Sequence, residues 1–66
     1  MITVTFETNS KELGFILNPK HLINISLEDK QLTITFTNDV RLLMRPDTHE
    51  VAVRIFKGLS KELEKF

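Results

Sequence analysis

From Ile23 to Met44 apolar side chains fall on every second position: Ile23, Ile25 and Leu27, then Leu32, Ile34 and Phe36, then Val40, Leu42 and Met44. Alternation of this kind, rich in β-branched and aromatic residues, predicts strands with one buried face. The intervening positions, Asn24, Ser26, Glu28, Thr33, Thr35, Thr37, Arg41, Leu43 and Arg45, give a mostly polar opposite face.

Side chains alternate with a period of two, so each connecting loop must keep the apolar faces together. Between the first two runs, either a two-residue turn at Asp29-Lys30 or a four-residue loop from Glu28 to Gln31 opposes Leu27 to Leu32, Ile25 to Ile34 and Ile23 to Phe36. Lys30 gains nothing at positive φ, so the longer loop is expected. Between the second and third runs a two-residue turn would oppose Phe36 to Arg41. A three-residue loop, Thr37 to Asp39, instead pairs Phe36 with Val40, Ile34 with Leu42 and Leu32 with Met44, with Asn38 or Asp39 in the left-handed conformation.

Ile2, Val4 and Phe6 alternate with Thr3, Thr5 and Glu7 to form an earlier strand. A turn at Asn9-Ser10 sets Phe6 opposite Leu13, Val4 opposite Phe15 and Ile2 opposite Leu17. Gly14 falls on the outer face of that hairpin, marking a bulge, a close backbone approach or a weak spot in an edge strand. Asn18-Pro19 ends the second strand, and Lys20 and His21 complete the turn. After Arg45-Pro46, Asp47 and Glu50 have the spacing of a capping box. Ala52, Ile55, Phe56, Leu59, Leu63 and Phe66 then recur at helical spacing to the end of the chain. Gly58 interrupts this helix beside its apolar stripe, where close packing is one explanation.

The expected fold is therefore α+β: a five-stranded antiparallel meander, curled, followed by one C-terminal amphipathic helix, in a single domain covering residues 1–66. A flat sheet of five strands would be roughly 24 Å wide, whereas a helix with its side chains spans only about 10 to 12 Å. Curling of the sheet or a second copy of the chain must cover the difference, and a homodimer is expected.

Composition narrows the chemistry. Nine basic and nine acidic residues cancel, which disfavours a general nucleic-acid binder and lowers the barrier to self-association. There is no cysteine, hence no disulfide or thiolate metal site, and a reducing cytoplasmic setting is expected. No apolar run approaches the ~18 residues of a membrane-spanning helix, and the start of the chain has no leader pattern, so a soluble, unprocessed protein is expected.

His21 and His49 stand in separate turns without metal-ligand spacing. Ser10, Ser26 and Ser60 lack a nucleophile context, and a monomer this small should not hold a pocket above about 300 Å³. No enzyme activity, metal or cofactor is expected. The candidate contact surface is the outer sheet face carrying Thr33, Thr35, Arg41, Leu43 and Arg45, where arginine can grip a carboxylate or phosphate beside apolar contacts. A second candidate is the basic ridge of Arg54, Lys57, Lys61 and Lys65, whose plain explanation is a solvated helix face. Phe6, Phe15, Phe36, Phe56 and Phe66 all fall on predicted buried faces, and with no Trp or Tyr the outer face lacks rings on which bases could stack.

The order NSKELGFILNPKHLINI, QLTITFTND and an acidic-capped helix resembles the small flagellar proteins of the FlbD/SwrD type. The matching positions are Asn9, Lys11, Glu12, Leu17, Asn18, Pro19, Ile23, Ile25, Thr35, Thr37 and Asn38. Asp39 and Val40 depart from the family's glycine-containing turn, and the terminal helix is longer. The resemblance implies a cytoplasmic accessory protein acting by contact, with no catalytic residue to carry over. The leading expectation is a non-enzymatic protein-interaction module, accessory or regulatory. The alternatives are a dimeric single-stranded nucleic-acid binder, similar in element order to a known transcription cofactor, and a phage-encoded inhibitor of a host enzyme.

Overall fold

The computed structural model describes residues 1–64 and places five antiparallel strands ahead of one helix. They are β1 (Ile2–Thr8), β2 (Lys11–Leu17), β3 (Leu22–Glu28), β4 (Gln31–Phe36), β5 (Arg41–Met44) and α1 (His49–Glu64). The α+β class and the strand order are as expected. The strands do not curl as one sheet, however: β1 and β2 form a two-stranded sheet, and β3, β4 and β5 a separate three-stranded one. The break falls where a single 3-10 turn, Pro19–His21, separates β2 from β3. Asn18 caps that turn by accepting the Lys20 N–H, and Pro19 cannot donate to a ladder.

The first hairpin has the expected register, Ile2 with Leu17, Val4 with Phe15 and Phe6 with Leu13. Asn9 and Ser10 both take positive φ, 52° and 63°, as the tight hairpin turn requires. Phe6 and Phe15, diagonal neighbours on the inner face, stack with ring centroids 6.0 Å apart.

In the second sheet Ile25 pairs with Ile34 and Leu27 with Leu32, while β5 aligns Leu42 with Ile34 and Met44 with Leu32. The three-residue loop after β4 is present, with Asp39 in the left-handed region at φ 64°. Three details differ from expectation. Asp29-Lys30 forms a two-residue turn, since Glu28 pairs directly with Gln31. Of the two only Asp29 adopts positive φ, so Lys30 is spared the conformation that told against it.

The second difference is a β-bulge in β3. The ladder steps from Leu22 opposite Phe36 to Asn24 opposite Thr35, leaving Ile23 as the extra residue. Leu22 is consequently buried, 7% exposed, and Ile23 is turned out, 54% exposed. The alternation from Ile23 onward had put them the other way round. Third, Val40 lies in the loop ahead of β5 and is exposed, although its carbonyl still accepts the Phe36 N–H at 2.9 Å.

One core joins both sheets and the helix. Val4, Phe6 and Leu17 from the first hairpin meet Leu22, Ile25, Leu32, Ile34 and Met44 from the second sheet and Ala52, Ile55 and Leu59 from α1. The helix lies chiefly over β3 and β4. Phe15, Phe36 and Phe56 are only half-buried at the margins of this core, and Leu13 is 41% exposed. Phe66, assigned to the core, and Lys65, assigned to the ridge, lie outside the described residues.

Residues 47 to 49 lock the assembly at one end. Asp47 is not the helix cap. Its carboxylate accepts the backbone N–H groups of Asn9, at 2.8 Å, and Ser10, at 3.3 Å, and its own N–H donates to the Glu7 carbonyl at 2.9 Å. Two successive N–H groups in a left-handed turn make a small anion seat, and this side chain fills it. Thr48 takes the capping role, its hydroxyl accepting the Val51 N–H. The Asp47 and Glu50 capping box is therefore not formed. His49 Nδ1 donates to the Asp29 carbonyl in the β3–β4 turn, so it does more than occupy the surface. Two residues apart, Asp47 and His49 tie the helix entry to the β1–β2 and β3–β4 turns.

Asp47→Ala is expected to cost about 1 to 2 kcal/mol, because it leaves a left-handed non-glycine turn without its charged acceptor. Asp47→Asn should cost less, since its amide oxygen retains one acceptor site. Urea melts of the three proteins will give this order, and equal loss in both variants would assign the effect to the charge alone.

Gly58 is exposed, and a Cβ built there meets nothing within 4 Å, so close packing is not its explanation. Gly58→Ala should raise stability by about 1 kcal/mol, read as a higher thermal midpoint.

Candidate functional site

The outer face of the three-stranded sheet assembles the residues expected there. Register sets Leu43 beside Thr33 and Arg41 beside Thr35, and Ser26 and Asn24 extend the same rows onto β3. Arg45 follows β5 and is exposed between buried Met44 and buried Pro46, continuing the alternation. Leu43 is 63% exposed on the edge strand β5 of this face, flanked in sequence by the two arginines at positions 41 and 45. Arg41 and Arg45 are both exposed, and neither forms an ion pair among the described residues, which leaves their guanidinium donors available to a partner. Leu22, which strict alternation with Ile23 and Ile25 would place on this face, belongs to the core instead.

Arg54, Lys57 and Lys61 are exposed along α1 as a basic ridge, again without an ion pair among the described residues. They stand on the helix and the first group on the sheet. Nothing gathers the two candidate sets into one site.

Sequence reasoning missed a third feature. An open apolar hollow of about 440 Å³ lies at the break between the sheets, lined by Ile16, Leu17, His21, Phe36, Asn38 and Val40. Its walls are fixed to each other by the Thr37 N–H, which donates to the His21 carbonyl at 2.9 Å. Asn38 holds the far wall by accepting the Val40 N–H through its side chain. Two further open grooves of about 340 and 380 Å³ run between β1 and α1. The expectation that nothing above about 300 Å³ would form is thus not met: the first hollow opens where the strands divide into two sheets, and the other two where the helix borders β1. The usable signal was Val40, an apolar residue directly after a turn that needs positive φ.

Among the described residues no group of three or more His, Cys, Asp or Glu could hold a metal ion. No described helix is long and apolar enough to cross a membrane. Comparison with known proteins finds no matching family model, curated protein or solved structure.

Proposed function

We propose that the chain is a small, non-enzymatic protein-interaction module of the cytoplasm that acts through the outer face of its three-stranded sheet. The observation that carries this reading is Leu43, a large apolar side chain 63% exposed on a short strand between two arginines that form no ion pair among the described residues. Arginine is enriched at protein interfaces, and an exposed apolar side chain beside it offers area from which a partner can exclude water. The chemistry it suits is a partner surface with an apolar side chain framed by carboxylates, which arginine can bind through two parallel hydrogen bonds. The absence of cysteine fits a reducing compartment, and the resemblance to the FlbD/SwrD-type proteins supports an accessory role by contact. A nucleic-acid strand or a host enzyme masked by a phage-encoded inhibitor are the competing occupants.

The test is affinity capture from native lysate with and without nuclease, comparing the natural protein with the Arg41→Glu, Arg45→Glu double variant. A protein retained after nuclease and lost in the variant supports the module. Captured nucleic acid whose binding falls steeply with added salt would overturn it in favour of phosphate recognition.

A further inference from the structure

Four strand edges in this fold face away from any ladder: the outer sides of β1 and β2 in one sheet and of β3 and β5 in the other. Unpaired edges invite pairing with another chain, and folded proteins blunt them with charge, proline, bulges, shortness or a cover. Three of the four carry such a device. The β1 edge is occupied by Asp47, whose N–H bonds the Glu7 carbonyl, and by α1, which borders it across the two grooves. The β3 edge is broken by the bulge at Ile23. The β5 edge is four residues long, begins with Arg41 and is followed by Arg45 and Pro46.

The β2 edge has none of these from Leu13 to Leu17. It is a seven-residue strand without proline or bulge, its register with β1 is unbroken, and among the described strands only β1 is hydrogen-bonded to it. In a two-residue hairpin the residues flanking the turn exchange both backbone hydrogen bonds, so Lys11, Leu13, Phe15 and Leu17 bond inward to β1. Glu12, Gly14 and Ile16 therefore point their N–H and C=O groups at the free edge. The Asp47 bond to Glu7, the residue opposite Glu12, fits this phase. Ile16 is 72% exposed there and Leu13 41%.

We infer that the β2 edge is a strand-addition site whose occupant is a second copy of this chain, paired antiparallel about a two-fold axis at Phe15. That axis exchanges four backbone hydrogen bonds between Gly14 and Ile16 of the two copies. On the inner face it sets Phe15 against Phe15 and Leu13 against the buried Leu17, covering Phe15 and Leu13, which one copy leaves at the margin of its core. On the outer face Ile16 of one copy lies over Gly14 of the other. The single chain gives no other reason for that glycine, since its φ is not positive and a Cβ there would meet only ordinary contacts, the nearest at 3.5 Å.

Charge agrees with this arrangement. Glu7 and Glu12 stand directly opposite each other on the outer face of the first sheet, an unfavourable like-charge pair. The axis brings Asn18 of the second copy alongside Glu12, and its exposed Lys20 just beyond. A formal net charge of zero leaves no general repulsion between copies. This inference is independent of the outer-face reading, which uses different strands.

Sedimentation equilibrium over a dilution series tests it, with far-UV circular dichroism to verify folding. The natural protein should sediment as a dimer. Ile16→Pro removes an edge N–H that β1 does not use, and Ile16→Lys places a charge there without touching the core. Either, when folded, should raise the dissociation constant at least about tenfold. Leu43→Ser, on the proposed partner face, should leave it unchanged. A natural protein that stays monomeric at the highest concentration reached overturns the inference, as does a dimer indifferent to both Ile16 substitutions or dispersed by Leu43→Ser.

Discussion

Ile34→Ala will remove a large part of the stability of this protein. Ile34 is fully enclosed, paired with Ile25 on one side and Leu42 on the other, so the deleted methyl groups leave a void that neighbouring strands cannot fill without breaking two ladders. Substitutions of this kind cost about 2 to 5 kcal/mol, and the central position argues for the upper half. A domain of this length has only about 3 to 10 kcal/mol to lose. The urea midpoint should therefore collapse or the chain should be partly unfolded in water. Phe36→Ala, at a position that strict alternation places on the buried face, should cost less than Ile34→Ala because its ring is half-buried beside the open hollow. Equal losses at the two positions would mean that the hollow is closed in solution.

The bulge in β3 predicts the second large effect as a contrast between neighbours. Leu22→Ala should cost about 2 to 3 kcal/mol, and Ile23→Ala should stay within about 0.5 kcal/mol of the natural protein. Thermal or urea unfolding of the two variants decides the point. The reverse ranking would restore the uninterrupted register, with Ile23 opposite Phe36 and Leu22 outside.

What could be read from the chain, and what could not, follows from the range of the interactions involved. Pairings fixed by a turn and a few alternating residues were legible: Phe6 with Leu13 through Asn9-Ser10, and Ile34 with Leu42 through the loop that puts Asp39 at positive φ. The outer face of Thr33, Thr35, Arg41 and Leu43 followed directly from those registers. Ile23 was misassigned because a bulge shifts the period by one residue without any change in composition. Asp47 was misassigned because local spacing suits it as a helix cap, while its carboxylate is claimed by a turn 38 residues earlier. The division into two sheets was not legible for a related reason. Alternation specifies which face of a strand is buried and says little about whether neighbouring hairpins continue one ladder, which here is decided at Asn18, Pro19 and His21.

That division has a consequence for how the molecule breathes. No ladder hydrogen bond joins the first hairpin to the rest, so it can lift away when the Asp47 contacts and the packing of Val4, Phe6 and Leu17 let go, leaving the other sheet intact. The inward amides of Val4, Phe6, Leu13 and Phe15 should exchange with deuterated solvent as one group, at a lower opening free energy than those of Ser26, Ile34 and Leu42. Removing the Asp47 carboxylate should accelerate the first group and leave the second unaltered. The chain would then hold two thermodynamic units of unequal stability around a single core.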